Sequence, residues 1–97
     1  MNERLENIQK KYDELTIELT KPEVLADFNQ LRKLSKEQKD LESIVLKYKE
    51  YKQCKQEISD AKELLNDEEM HDFALEELNT KEIELPKLEH ELELLLL

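Results

Sequence analysis

The chain has no glycine, no tryptophan, one cysteine and two prolines among its 97 residues, and each scarcity closes off a class of structure. Without glycine, no residue suits the left-handed turns and close backbone approach on which phosphate-cradling loops depend, so Walker and Rossmann nucleotide sites are excluded. The EF-hand, whose sixth loop position requires glycine, goes with them. Cys54 has no second cysteine to pair with, and no apolar run opens the chain, so a reducing cytoplasm is the expected compartment. The closing run Leu94 to Leu97 is far too short to span a bilayer. Aromatic residues are few as well, three Tyr and two Phe, which leaves 19 Leu to build the core.

What is present is the composition of long helices: 41% charged and 38% hydrophobic residues, in a chain long enough for one domain over residues 1–97. The expected fold class is therefore all-α. A net charge of −10 disfavours a general nucleic-acid binder, because non-specific affinity comes mainly from Lys and Arg neutralising phosphates. The charge is unevenly spread, however. Residues 29–55 carry a balance of +4, whereas residues 56–97 carry −11.

Leu5, Ile8, Tyr12, Leu15 and Leu19 recur at intervals of three and four, which predicts a helix from about Asn2, as N-cap, to Thr20. Pro22 lacks the donor that a helix interior needs but suits a first turn, so a short helix or turn through Val24 and Leu25 should follow. Asp27-Phe28-Asn29-Gln30 has the form of a capping box and predicts the start of a long helix. Leu31, Leu34, Leu41, Val45, Tyr48, Tyr51, Ile58, Ala61 and Leu65 then hold helical spacing, with Gln38 the one polar residue in register. Residues 28–65 would span on the order of 57 Å as a helix.

Asn66-Asp67-Glu68-Glu69 reads as a second start, with Asn66 as N-cap and acids in the first turn. A returning helix over residues 67–95 is expected to carry Met70, Phe73, Ala74, Leu78, Leu85, Leu88, Leu92 and Leu95 on its apolar stripe. The two long helices should form an antiparallel, coiled-coil-like hairpin. Pro86 interrupts that stripe, and Asn79-Thr80-Lys81-Glu82 resembles another cap. Either a kink near Ile83 or a break into two helices is expected there.

Few residues suggest chemistry. Glu68-x-x-His71 has the spacing of a di-iron helix, but a second such pair is missing, since His90 has Lys87 three residues earlier. Cys54 sits on the buried stripe, where a thiol is inert, although Lys52 and Lys55 are near in sequence. Ser35, Ser43 and Ser59 stand in no recognisable relation to a His and an acid. No catalytic, metal-binding or cofactor-binding residue is assigned. Arg32, Lys36, Lys39 and Lys47 fall within a sector of roughly 80° at about 100° per residue, opposite Leu34 and Leu41. This basic stripe is either a solvated face balanced by neighbours such as Glu37 and Asp40 or a surface that positions phosphates of structured RNA.

The sequence resembles the bacterial class I peptide chain release factors, and within them the release factor 1 branch. The resemblance is carried by Pro22-Glu23-Val24, by the segment from Leu31-Arg32-Lys33-Leu34 through Ser35-Lys36-Glu37-Gln38 to Lys39-Asp40-Leu41, by Tyr48-Lys49-Glu50-Tyr51-Lys52 and by Ala61-Lys62-Glu63-Leu64-Leu65. The sister release factor 2 branch has a Phe-Trp-containing segment after the corresponding proline, and this chain has no Trp. Pro86 departs from the family, whose helix is usually uninterrupted there. The resemblance implies a role in termination at UAA and UAG codons, on the ribosome near the stalk base and with the class II release factor GTPase as partner. Neither the Pro-x-Thr codon-reading segment nor the Gly-Gly-Gln loop for peptidyl-tRNA hydrolysis is present, so the chain is expected to be the N-terminal helical domain alone, without enzymatic activity. Its Leu tail could then support self-association. The competing expectation is a free-standing coiled-coil protein that dimerises through Leu85, Leu88, Leu92 and Leu95.

Overall fold

The computed structural model describes all 97 residues, of which 86% are helical and none is in a strand. Four helices follow in order: α1 (Asn2–Glu18), α2 (Pro22–Leu25), α3 (Phe28–Leu64) and α4 (His71–Leu95). They pack as two compact units, Met1–Leu46 and Lys47–Leu97, and the 37-residue α3 contributes to both.

In the first unit, the spacing of α1 does what its periodicity requires: Leu5 and Leu15 are buried, and Ile8, Tyr12 and Leu19 are half-buried. The helix begins at the residue expected to cap it. Met1 occupies the N-cap, so Asn2 is already helical and its side chain caps nothing. At the other end Thr20 Oγ1 donates to the Ile17 carbonyl at 2.7 Å, which satisfies an end group of the kind helices leave unpaired. Pro22 stands at the first position of α2, where its missing donor is not needed. Val24 is buried beside it and Leu25 is exposed.

Asp27 opens α3 as a cap, its Oδ1 accepting the Gln30 N–H at 3.1 Å. Gln38 has a partner that explains its place on the stripe. Its Nε2 donates to Thr16 Oγ1 at 2.8 Å, and Thr16 in turn donates to the Tyr12 carbonyl at 3.0 Å. Lys11 and Leu15 lie beside Glu37, Asp40 and Leu41, so α1 and the first part of α3 run antiparallel.

The second unit is built on Tyr48, Tyr51, Cys54, Ile58 and Ala61 of α3 and Ala74, Leu78, Leu88 and Leu92 of α4, all buried. Polar pairs fix the antiparallel register. Lys47 Nζ meets Glu91 at 2.6 Å, Tyr51 Oη donates to Glu89 at 3.2 Å, and Lys81 Nζ meets Glu57 at 2.7 Å.

The connection and the returning helix differ from the sequence expectation in three ways. First, α4 begins at His71, not at residue 67, and Asn66 is not its cap. Asp67 has taken over that chemistry, its Oδ1 accepting the N–H groups of Glu69 and Met70 at 2.9 and 3.3 Å, which stabilises a turn before the helix starts. Second, Met70 and Phe73 are exposed: Met70 precedes the helix, and Phe73 lies about 100° round it from the buried Ala74, whose face Leu78 and Leu92 share. Third, α4 is one continuous helix with Pro86 inside it. Thr80 caps nothing, since its Oγ1 donates back to the Glu76 carbonyl at 3.0 Å as a mid-helix residue does.

Pro86 is tolerated because it is exposed, as is Glu82, whose carbonyl loses its donor and is left to water. The preceding turn is held from both sides, Lys81 bonding Glu57 on α3 and Glu84 on its own helix at 3.4 Å. Leu88 and Leu92 are buried and Leu85 is half-buried within the single chain, which leaves Leu95 as the exposed member of the expected dimer seam. Restoring the missing donor with Pro86→Ala is expected to stabilise the chain by about 1–3 kcal/mol, seen as a higher urea midpoint with an unchanged slope.

Candidate functional site

Arg32, Lys36 and Lys39 stand exposed on the first part of α3, on the side away from half-buried Leu34 and Leu41. Phe28, one turn before Arg32, and Ser43 and Leu46, beyond Lys39, are exposed on the same face. At about 100° per residue these six fall within a sector of roughly 80° that contains no Asp or Glu. In a chain with 25 acidic residues, an acid-free face with three cations is a distinct surface. Lys36 alone of the three has an ion pair, with Asp40 at 3.3 Å, and both partners are largely exposed. Such a pair is worth well under about 1 kcal/mol and does not prevent Lys36 from meeting another anion.

Lys47 does not join this group. It belongs to the second unit, is half-buried, and is held by Glu50 at 3.0 Å as well as by Glu91. Hydrogen bonds that it donates to Glu91 and then to Glu50 raise its pKa, outweighing the opposing effect of burial. Its ammonium is used inside the fold. The sequence placed Lys47 on the stripe by angle alone, and the acids that claim it lie three residues away and on a different helix. Phe28 lies on the same face by the same angular argument, a position that its place beside the Asp27 cap obscures in the sequence.

The remaining candidates are structural. Cys54 is 3% exposed, and its Sγ approaches the Lys81 carbonyl at 3.5 Å. Burial raises its pKa first, and Glu84 adds to that against the opposing pull of Lys81. Lys52 and Lys55, its neighbours in sequence, extend over the Tyr48 and Tyr51 rings at 4.3 and 5.3 Å from the centroids. His71 Nδ1 donates to the Leu65 carbonyl at 2.9 Å and so closes the end of α3. Groups of three or more His, Cys, Asp or Glu that could hold a metal ion are absent. Ser35, Ser43 and Ser59 are exposed. No helix is long and apolar enough to cross a membrane.

What such an arrangement can do is contact, not catalysis: Lys and Arg are able to bond anionic oxygens, and an exposed aromatic beside them offers a face on which a planar or apolar group can rest.

Residues 8–97 match the PCRF domain family. Over 100 aligned residues the chain is 43% identical to Peptide chain release factor 1 of Clostridium novyi (strain NT) and 44% identical to that of Agathobacter rectalis, in each case covering the whole chain and 28% of the relative. Peptide chain release factor 1 of Campylobacter jejuni subsp. jejuni is 46% identical over 94 residues, covering 97% of the chain and 26% of that protein. The chain therefore spans little more than a quarter of the length of these relatives, in their N-terminal part. No solved structure matches it.

With its pKa raised and its sulfur buried, Cys54 is expected to react with iodoacetamide at pH 7.5 far more slowly in the native chain than in 8 M urea, where the ordinary thiol returns. Mass spectrometry over a time course reads the difference, and equal rates would show that the thiol is accessible.

Proposed function

Because the chain belongs to the PCRF domain family, we propose that it acts in translation termination as the helical N-terminal module of a cytoplasmic release factor that reads UAA and UAG. It docks the factor on the ribosome and has no catalytic activity of its own. The observation that carries this reading is the acid-free sector of α3 over residues 28–46, with Arg32, Lys36 and Lys39 exposed and the fourth stripe residue, Lys47, turned to internal use. The partner proposed for this face is ribosomal RNA near the stalk base, whose phosphates Lys and Arg would contact, with ribosomal proteins and the class II release factor GTPase as the remaining partners of this role. The release reaction of the family requires a Gly-Gly-Gln loop, and a chain without glycine contributes none of it.

In a release factor that carries this chain, the double substitution Lys36→Glu and Lys39→Glu is expected to weaken ribosome binding at low salt. It should also reduce the slope of log affinity against log salt by about one for each phosphate no longer neutralised. Peptide release at saturating factor should be unchanged. Unaltered affinity and slope would remove this face from the docking surface.

A further inference from the structure

A groove of about 280 Å³ opens on the second unit near the turn between α3 and α4, with Glu57, Asp60 and Leu64 on one wall and Phe73 and Glu77 on the other. Its floor is Ala61 and Ala74, which are 3% and 0% exposed. Elsewhere in this seam the buried positions are Tyr48, Tyr51, Cys54, Ile58, Leu78, Leu88 and Leu92, all but Cys54 larger than alanine by several heavy atoms. Here two alanines replace large side chains, and the volume they leave is the groove.

The carboxylates around it are unequally satisfied. Glu57 is committed to Lys81 at 2.7 Å, and that hydrogen bond lowers its pKa. Asp60 receives only the neutral amide of Gln56 at 2.8 Å. Glu77 is half-buried and has neither an ion pair nor a hydrogen bond. A shallower depression shares Asp60 and Leu64 and adds Glu63 and Asp67 to the same surface. The Phe73 ring, 57% exposed, stands at the rim.

These features select a cation of a particular kind. The absence of a metal-competent cluster argues against a divalent ion. At about 280 Å³ the groove lies at the lower edge of the range of about 300–1,000 Å³ typical of small-molecule sites, and it has room for a single long side chain. An apolar floor takes the methylene stem of a long basic side chain, while its head reaches the carboxylates. An aromatic wall beside two uncompensated carboxylates favours a guanidinium, which is planar, weakly hydrated, able to stack on a ring and able to bond a carboxylate through two N–H groups at once. We propose that this groove receives an arginine side chain from a basic segment of a protein partner, its stem on Ala61 and Ala74 and its guanidinium between Asp60, Glu77 and the Phe73 ring. The balance of −11 over residues 56–97 would draw such a segment toward the unit before it docks.

The test titrates the ¹⁵N-labelled chain with a blocked seven-residue peptide that has arginine at its third and fifth positions and alanine elsewhere. Amide shifts should concentrate in residues 57–64 and 73–77. Asp60→Asn with Glu77→Gln should weaken binding by about three- to tenfold, the scale of one or two partly exposed ion pairs. Phe73→Ala, at an exposed position where folding is not at stake, should weaken it by a similar factor. A peptide with citrulline in place of arginine keeps the shape but not the charge, and it should not bind measurably. Ala74→Leu fills the floor and should block the peptide, with circular dichroism confirming that the helices remain. Shifts spread evenly over the acidic residues, or full affinity in both the carboxylate and Phe73 variants, would reduce the site to diffuse attraction and overturn the proposal. Lys36→Glu with Lys39→Glu should leave peptide affinity unaltered, so failure here is separable from failure of the ribosome-docking reading.

Discussion

Every helix in this protein must hide one apolar stripe, and the longest of them must hide it twice. The stripe of α3 runs the length of a 37-residue helix, more than α1 alone covers, so its first part packs with α1 and its second part with α4 in separate compact units. The polar bonds between helices follow from that division. Gln38 interrupts the stripe where Thr16 can receive it, and Lys47, Tyr51 and Glu57 sit at its edge where Glu91, Glu89 and Lys81 can. Each bond is worth little alone, but each is made only in one register, so together they select the register that apolar contact leaves loosely specified.

How much of this was legible in the sequence depended on whether the deciding interaction was local. Pro22 and the Asp27 cap announce their helices because a missing donor and a carboxylate facing the next turn act within four residues. The start of α4 was misread for a related reason. Asn66 and Asp67 are both competent caps, and only the folded turn decides that Asp67 is used, and for a turn ahead of the helix. The turn leaves Met70 ahead of the helix, and the choice of Ala74 over its neighbour Phe73 for the buried face is a packing decision that spacing alone does not make. Pro86 was legible as a cost but not as a continuous helix, because what tolerates it is a solvent-facing position and the Lys81 bridge to a residue 24 positions earlier. The basic stripe was legible as an angle on a wheel. The withdrawal of Lys47 from it was not, since Glu91 lies 44 positions away.

The ion pairs that fix the second unit are placed to hold across the neutral range. Glu57 has its pKa lowered chiefly by the Lys81 hydrogen bond, so its contribution is present above the carboxylate's unfolded pKa and is lost only as pH falls through the depressed value. Lys81 has its pKa raised chiefly by Glu57, so its contribution is present below the unfolded lysine value and is lost only as pH rises beyond it. The two windows overlap over all intermediate pH. Tyr51 behaves consistently with this, its pKa raised by burial and then by the Glu89 bond, so it remains the neutral donor that the contact requires.

Glycine-free helices make this molecule poor at the chemistry that loops perform and suited to presenting side chains at fixed positions. A helix holds Arg32, Lys36 and Lys39 at intervals set by its pitch, so a partner with regularly spaced phosphates can meet several of them without reordering the backbone. The same rigidity lets two alanines in a seam leave a lasting groove where a loop would collapse into it. Arg32, Lys36 and Lys39 stand exposed on the first part of α3, whereas residues 56–97 carry a balance of −11, so the chain has a local basic patch and an extended acidic segment. The charge separation visible along the sequence thus persists in the folded chain, since helices hold the charges where their spacing puts them.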